Sequence, residues 1–127
     1  MIVFDASAGL SALLNAGPAR RTLALEQVHV PHLIDAEVAS GLRRRVLSGQ
    51  LGEDAGWDAL NAWRRLGMTR YPVQSLLERV WQLRANVSAY DAAYVALAEH
   101  LDCALLTANG RLARAAKIRC PVTVVPS

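Results

Sequence analysis

The hydrophobic positions of this chain change period along its length. Three apolar residues, Ile2–Phe4, form a short bounded run that predicts a buried strand ending on Asp5. Ala8–Asn15 then reads as a helix stopped by Gly17-Pro18, and Arg20–Glu26 as a second short helix. Val28–Pro31 is a strand with proline at its end. Over Leu33–Leu47, Ile34, Val38, Leu42 and Val46 recur every four residues and give one apolar helical stripe. After the loop Ser48–Gly52, Glu53–Leu66 predicts a helix with acids in its first turn and Arg64-Arg65 in its last, as the helix dipole favours. Met68–Tyr71 is a third strand. Val73–Ala85 is helical, with Leu76, Leu77, Val80, Trp81 and Leu83 toward the core. Ser88 is placed to cap the helix Ala89–Leu101. Cys103–Thr107 is a fourth strand, Asn109–Ala116 a short helix, and Val122–Val125 a fifth strand.

Strands alternating with helices predict an α/β fold, a mainly parallel five-stranded sheet with helices on both faces. No repeat or linker interrupts the 127 residues, and one domain spanning 1–127 is expected. Functional sites of such sheets lie at the carboxyl ends of the strands. Asp5 stands at the end of the first strand and Asn109 just past the fourth.

Composition narrows the class. With 53% hydrophobic residues the chain has ample material for a core. No apolar run approaches the ~18 residues of a membrane span. The first residues lack the basic and long apolar regions of a secretory signal, so a cytoplasmic protein is expected. Cys103 and Cys120 form no disulfide framework and no metal-type spacing; they read as reduced thiols in or near the core. Formal net charge is +3, and of 14 basic residues only Lys117 is lysine. Arginine suits bidentate phosphate contacts, which leaves a polyanionic partner open.

The acids carry the chemistry. Glu26, Glu53, Asp54, Asp58 and Glu78 fit solvated helix faces, Glu99 and Asp102 an exposed helix end, and Asp35 a first turn. Asp5, Glu37 and Asp91 remain. Glu37 borders the apolar stripe of its helix. Asp91 shares a face with Tyr94, Val95 and Ala98, where a carboxylate is costly unless something positive or donating meets it. Asp5 also reads as a plain N-cap, Glu37 as a rim ion-pair partner, and Asp91 as a first-turn acid. Together, at one sheet edge, they make an oxygen-only cluster, which selects Mg²⁺ or Mn²⁺ over zinc. His29, His32 and His100 share no ligand spacing.

Four stretches, "VFDASA", "VPHLIDAEVASGLRR", "SAYDAAYVALAEHL" and "LLTANGRLARAA", carry a resemblance to the PIN-domain ribonucleases, and within them to the VapC-like toxins of type II toxin–antitoxin pairs. It covers essentially the whole chain. It implies a PIN-like three-layer sandwich and an Mg²⁺- or Mn²⁺-dependent endoribonuclease that inhibits translation or growth. It also implies a homodimer and a VapB-like antitoxin covering the acidic groove. The family's acidic site maps to Asp5, Glu37 and Asp91. Ser7 matches the hydroxyl two residues after the first Asp, and Thr107 the hydroxyl ending the fourth strand. The family's fourth acid falls at Asn109, which keeps an oxygen but loses a charge. Three carboxylates against two divalent ions imply one well-held ion and a weaker second.

On this reading, Ser7, Thr107 and Asn109 support the site, and one metal-bound water attacks the RNA phosphodiester. Arg111, and Arg43 and Arg44 in the "RRR" run, are the candidates for RNA contact. Trp57, Trp63 and Trp81 read as core or dimer packing. A haloacid-dehalogenase-like phosphatase would want an acid where Ser7 stands. A receiver domain would want one after Met68–Tyr71. The rival from another class is a PIN-like module that binds RNA or its antitoxin without cutting, with Asn109 marking a weakened site.

Overall fold

A computed structural model describes all residues 1–127. Its five strands are β1 (Ile2–Phe4), β2 (Val28–Pro31), β3 (Thr69–Tyr71), β4 (Ala104–Thr107) and β5 (Val122–Val124). They form one sheet in the order β3-β2-β1-β4-β5, and every neighbouring pair is parallel. Central β1 is buried at all three positions. Successive side chains of a strand point to opposite faces, so both faces of the sheet are covered, as parallel sheets require.

The covering helices are α1 (Ala6–Leu14), α2 (Pro18–Leu25), α3 (Ile34–Leu47), α4 (Glu53–Arg64), α5 (Leu77–Gln82), α6 (Ala89–Leu101) and α7 (Gly110–Ala113). Helix α1 packs against α2, α3 and α4, while α6 lies across β1, β2 and β4 with α5 on its flank. Seven consecutive residues of α6, Ala92–Ala98, are buried. A helix so apolar over successive positions is a core element rather than a surface one. No helix is long and apolar enough to cross a membrane.

Close approach sets two helix contacts. A Cβ on Gly41 of α3 would stand 2.4 Å from Cδ1 of Leu10 on α1. A Cβ on Gly9 of α1 would stand 2.9 Å from the Trp63 ring on α4.

Several sequence expectations need correction. Helix α1 starts two residues early because Asp5 caps it directly, its side chain accepting the Ala8 N–H. Pro18 opens α2 rather than ending α1, since proline's missing N–H is no loss in a first turn. The segment expected as one helix from Val73 is a 3₁₀ turn, Gln74–Leu76, followed by the short α5. The break rotates the face, so Leu76, Val80 and Leu83 are buried while Leu77 and Trp81 are exposed. Trp57 is exposed as well, and only Trp63 of the three tryptophans is in the core.

Glu99 is not an exposed helix-end acid. It receives Arg79 Nε at 2.6 Å and Nη2 at 3.2 Å, and the backbone N–H of Arg119 at 2.8 Å. The two side chains are only 17% and 12% exposed. Burial alone would raise the Glu99 pKa, but the Arg79 and Arg119 donors outweigh it and hold the group below its ordinary 4.5. A depressed folded-state pKa means stabilisation present above the unfolded value and lost as pH falls through the folded one. Glu99→Gln is therefore expected to cost about 1.5–3 kcal/mol near pH 7. The gap from wild type should close as the buffer is taken below the ordinary carboxylate range, as urea denaturation at the two pH values would show.

Candidate active site at the carboxyl edge of the sheet

The parallel topology brings the ends of β1 and β4 side by side, and the site is built there. The Asp5 N–H donates to the Leu106 carbonyl at 3.1 Å, which holds Asp5 in register beside Thr107. Asp5 Oδ1 accepts the Ala8 N–H at 2.9 Å and the Ser7 hydroxyl at 2.6 Å, and Oδ2 accepts the Thr107 hydroxyl. A carboxylate offers about four lone-pair positions, so roughly one remains, on Oδ2. Ser7 and Thr107 are themselves tied in. Ser7 Oγ lies 3.2 Å from Thr107 Oγ1 and accepts the Ala108 N–H at 2.8 Å, while Thr107 Oγ1 accepts the Asn109 N–H at 3.0 Å. Asp5 is thus both a helix cap and a buried, fully oriented acid; the two readings of the opening strand are compatible.

Glu37 and Asp91 reach the same region from α3 and α6. Glu37 Oε1 accepts the Tyr94 hydroxyl at 2.5 Å. Asp91 sits in the first turn of α6, its N–H donating to the Ser88 hydroxyl at 3.1 Å, as capping by Ser88 requires. Burial is the first cause of a raised pKa in all three acids. For Asp5, the Ser7 and Thr107 hydroxyls oppose it. For Glu37, the Tyr94 hydroxyl opposes it, and the charges of Asp91 and Asp5 push further up. For Asp91, the charge of Asp5 adds to burial, while Ser88 and the Arg111 charge pull down. The three carboxylates therefore act on one another, which distant surface acids screened by water do not.

No three His, Cys, Asp or Glu side chains are spaced to close around a single metal ion. The arrangement is open. Mg²⁺ suits an open site, because it dehydrates reluctantly and takes one or two carboxylates while keeping several waters. The donor set is all oxygen, as a hard cation prefers.

The remaining candidates divide. Asn109 caps α7, its Oδ1 accepting the Arg111 N–H at 3.1 Å, so its oxygen is committed to the backbone. Exposed Arg111 lines a cleft with Asp91, Asn109 and Ser88. Arg44 is exposed and lines a second cleft with Glu37 and Ser7. Arg43, one position earlier on α3, lines an apolar groove with Trp57 and Leu60, away from the acids. One residue turns a helix by about 100°, which is why adjacent arginines face different surfaces. His29 is engaged with the Tyr71 hydroxyl at 2.7 Å, outside the acidic cluster. Sequence reasoning missed Tyr94 as a partner of Glu37. The signal was its spacing of three from Asp91, which puts both on one face of α6.

With five parallel strands, this strand order and an acidic pocket where β1 and β4 end, the chain belongs to the PIN domain family, whose sequence profile matches residues 2–118. Its full-length relatives narrow the likeness further. It is 60% identical over 126 residues to ribonuclease VapC9 of Mycobacterium tuberculosis, spanning 99% of each chain. Among solved structures it is similar to M. tuberculosis VapC20, described as a sarcin–ricin loop cleaving toxin, with a TM-score of 0.66 at 24% identity over 90% of this chain and 94% of that one. It also superposes along the full length of both chains on part of a toxin–antitoxin complex from Klebsiella pneumoniae, with a TM-score of 0.72 at 18% identity. The two structural matches speak for the fold.

Proposed function

We propose that this chain is a metal-dependent endoribonuclease that serves as the toxin of a toxin–antitoxin pair, and that Asp5, Glu37 and Asp91 flank its Mg²⁺ or Mn²⁺, one or two of them in direct contact and the rest through the ion's retained waters. The observation that carries the reading is geometric: buried Asp5 is held between Ser7 and Thr107 at the ends of β1 and β4, with half-buried Glu37 and Asp91 in the clefts on either side of it. The 60% identity to a VapC ribonuclease supports the same class. A bound divalent ion would supply an acidified water and relieve charge on the leaving oxygen.

The chain's own residues do the rest. Ser7 and Thr107 fix the Asp5 carboxylate through donors on both of its oxygens, so it need not reorganise when the substrate arrives. Tyr94 holds Glu37 in the same way. Arg111 and Arg44, flanking the acids on two sides, would take the substrate's phosphates, Arg44 with a fork suited to bidentate contact. A VapB-like antitoxin would silence the site by covering the acidic cleft. A second copy of the chain is the expected partner of the exposed Leu77 and Trp81 face of α5. Cleavage of cellular RNA would inhibit translation or growth.

The test is cleavage of a single-stranded RNA by purified protein freed of any partner, with Mg²⁺ or Mn²⁺ and with EDTA. Cleavage in the metal arms only, reduced at least about 100-fold by Asp91→Asn, is expected. Metal-independent RNA binding with no cleavage by wild type would instead favour the non-cutting module, with Asn109 as the missing charge.

A further inference from the structure

Tyr90 is out of place among its neighbours. It lies on α6 beside seven buried residues, yet is itself 63% exposed. Its hydroxyl makes no hydrogen bond within the chain, and its ring pairs with no other aromatic ring or cation, unlike Trp57 under Arg64 and Trp81 under Arg84. It immediately precedes Asp91 and forms one wall of a cleft of about 410 Å³. Ser7 and Glu37 contribute polar groups to that cleft, Leu33 and Ala6 apolar surface, and Arg44 a cation. Glu37 and Arg44 are seven positions apart on α3, which is two turns or about 10 Å along the axis. Arg44 is held only by one 3.2 Å bond to Ser40, so it can turn toward a ligand.

We propose that this cleft is a nucleotide subsite, in which one unpaired RNA base lies on the Tyr90 ring and Arg44 meets a phosphate adjoining it. The inference rests on the ribonuclease reading and adds to it the form of the substrate. A strand with one phosphate at the acids and a neighbouring phosphate at Arg44 carries its intervening base into the cleft, where the free aromatic face is. Stacking needs an exposed base face, and a base inside a duplex has none to offer. The ring selects no particular base, because every base has a π-face. The subsite therefore favours single-stranded RNA, a loop or a bulge, without fixing the sequence cut. The charge pattern favours RNA over a peptide as occupant, since the cleft joins a cation, Arg44, to the acid Glu37 two helical turns away, matching phosphates that run from a cationic grip to a metal-bearing centre.

The experiment compares wild type, Tyr90→Ala, Tyr90→Phe, Tyr90→Leu and Arg44→Gln. Binding of a fluorescein-labelled single-stranded RNA is followed by anisotropy in EDTA, and KM and kcat are measured with metal. Tyr90→Ala is expected to raise both Kd and KM by about 5- to 150-fold, with kcat nearly unchanged and the melting temperature unmoved. Tyr90→Phe should retain binding while Tyr90→Leu should not, which separates a flat ring from mere bulk. Annealing the probe to its complement should weaken wild-type binding and erase the Tyr90 effect. Equal Kd and KM for wild type and Tyr90→Ala, with wild type still cutting, would overturn the subsite and leave the nuclease reading standing. A wild type that neither binds nor cuts the RNA would remove both. Loss of affinity for an arginine-rich peptide but not for RNA in Tyr90→Ala would assign the cleft to a protein partner and overturn the proposal.

Discussion

Replacing Asp5 with asparagine should abolish cleavage while leaving the fold intact, and replacing it with alanine should damage both. The two outcomes follow from the two jobs of one side chain. Asparagine is as good an N-cap as aspartate, and its carbonyl oxygen can keep the Ala8 and Ser7 donors now on Oδ1. Its NH₂ group would face Thr107, whose hydroxyl can rotate to accept from it and donate to Ser7 Oγ instead. What disappears is the charge. Burial raises the Asp5 pKa, so its ionisation opposes folding, and the sign of that effect is fixed. The contribution is favourable below the ordinary carboxylate range and is lost as pH rises through the folded value. Asp5→Asn should therefore be at least as stable as wild type near pH 7, and its advantage should shrink on acidification. Asp5→Ala removes the cap and takes the acceptor from the Ala8 N–H and the Ser7 hydroxyl, a loss of about 1–3 kcal/mol. Both variants should lose at least about 100-fold in cleavage rate. Urea denaturation paired with the RNA assay checks this; an Asp5→Asn protein that cuts at the wild-type rate would remove Asp5 from the chemistry.

The largest effect on stability is expected at Trp63. This side chain is 1% exposed and stands where α4, α1 and α3 meet. Its ring fills the space left by Gly9. Its Nε1–H donates to Asp35 Oδ1 at 2.8 Å, and Asp35 is clasped in turn by Arg70 of β3, Nε to Oδ2 at 2.7 Å and Nη2 to Oδ1 at 2.9 Å. Trp63→Ala opens a cavity among three helices and strips one donor from Asp35. The expected loss is about 3–5 kcal/mol. Set against the roughly 5–15 kcal/mol that holds a domain together, it would bring the protein near the edge of folding. Trp63→Phe keeps most of the ring and should lose far less. The difference between the two in chemical denaturation separates packing from the hydrogen bond, and a cost below about 1 kcal/mol for Trp63→Ala would show that α4 is not docked through this residue.

The parts of the fold that depend on local pattern were legible in the sequence. The β–α alternation, Asp5 at the end of the first strand, and Ser88 as a cap all follow from short stretches read in order. What escaped depends on contacts between distant segments. Asp35 reads as a first-turn acid, and it is one, but its pairing with Arg70 requires α3 and β3 to be neighbours. Glu99 reads as exposed because its partner is 20 residues away. The Tyr94–Glu37 bond joins side chains 57 positions apart. The helix expected over Val73–Ala85 failed for a different reason: four-residue spacing of apolar groups survives a 3₁₀ turn, so the periodicity persisted while the face rotated. Within the candidate site, the sequence marked the acids and their hydroxyl neighbours but not the tyrosines, since a tyrosine near an acid on an apolar helix looks like core.

The contact at Gly41 has one more bearing on the chemistry. Gly41 sits one turn beyond Glu37 on α3 and rests on Leu10 of α1, the helix that begins immediately after Asp5. The span between two of the acids is consequently gauged by a helix contact in which the glycine carries no side chain at all. A screen for loss of the proposed cleavage should return changes at Gly41 together with the acids themselves, although Gly41 lines neither acidic cleft, and the ruler would be mistaken for part of the blade.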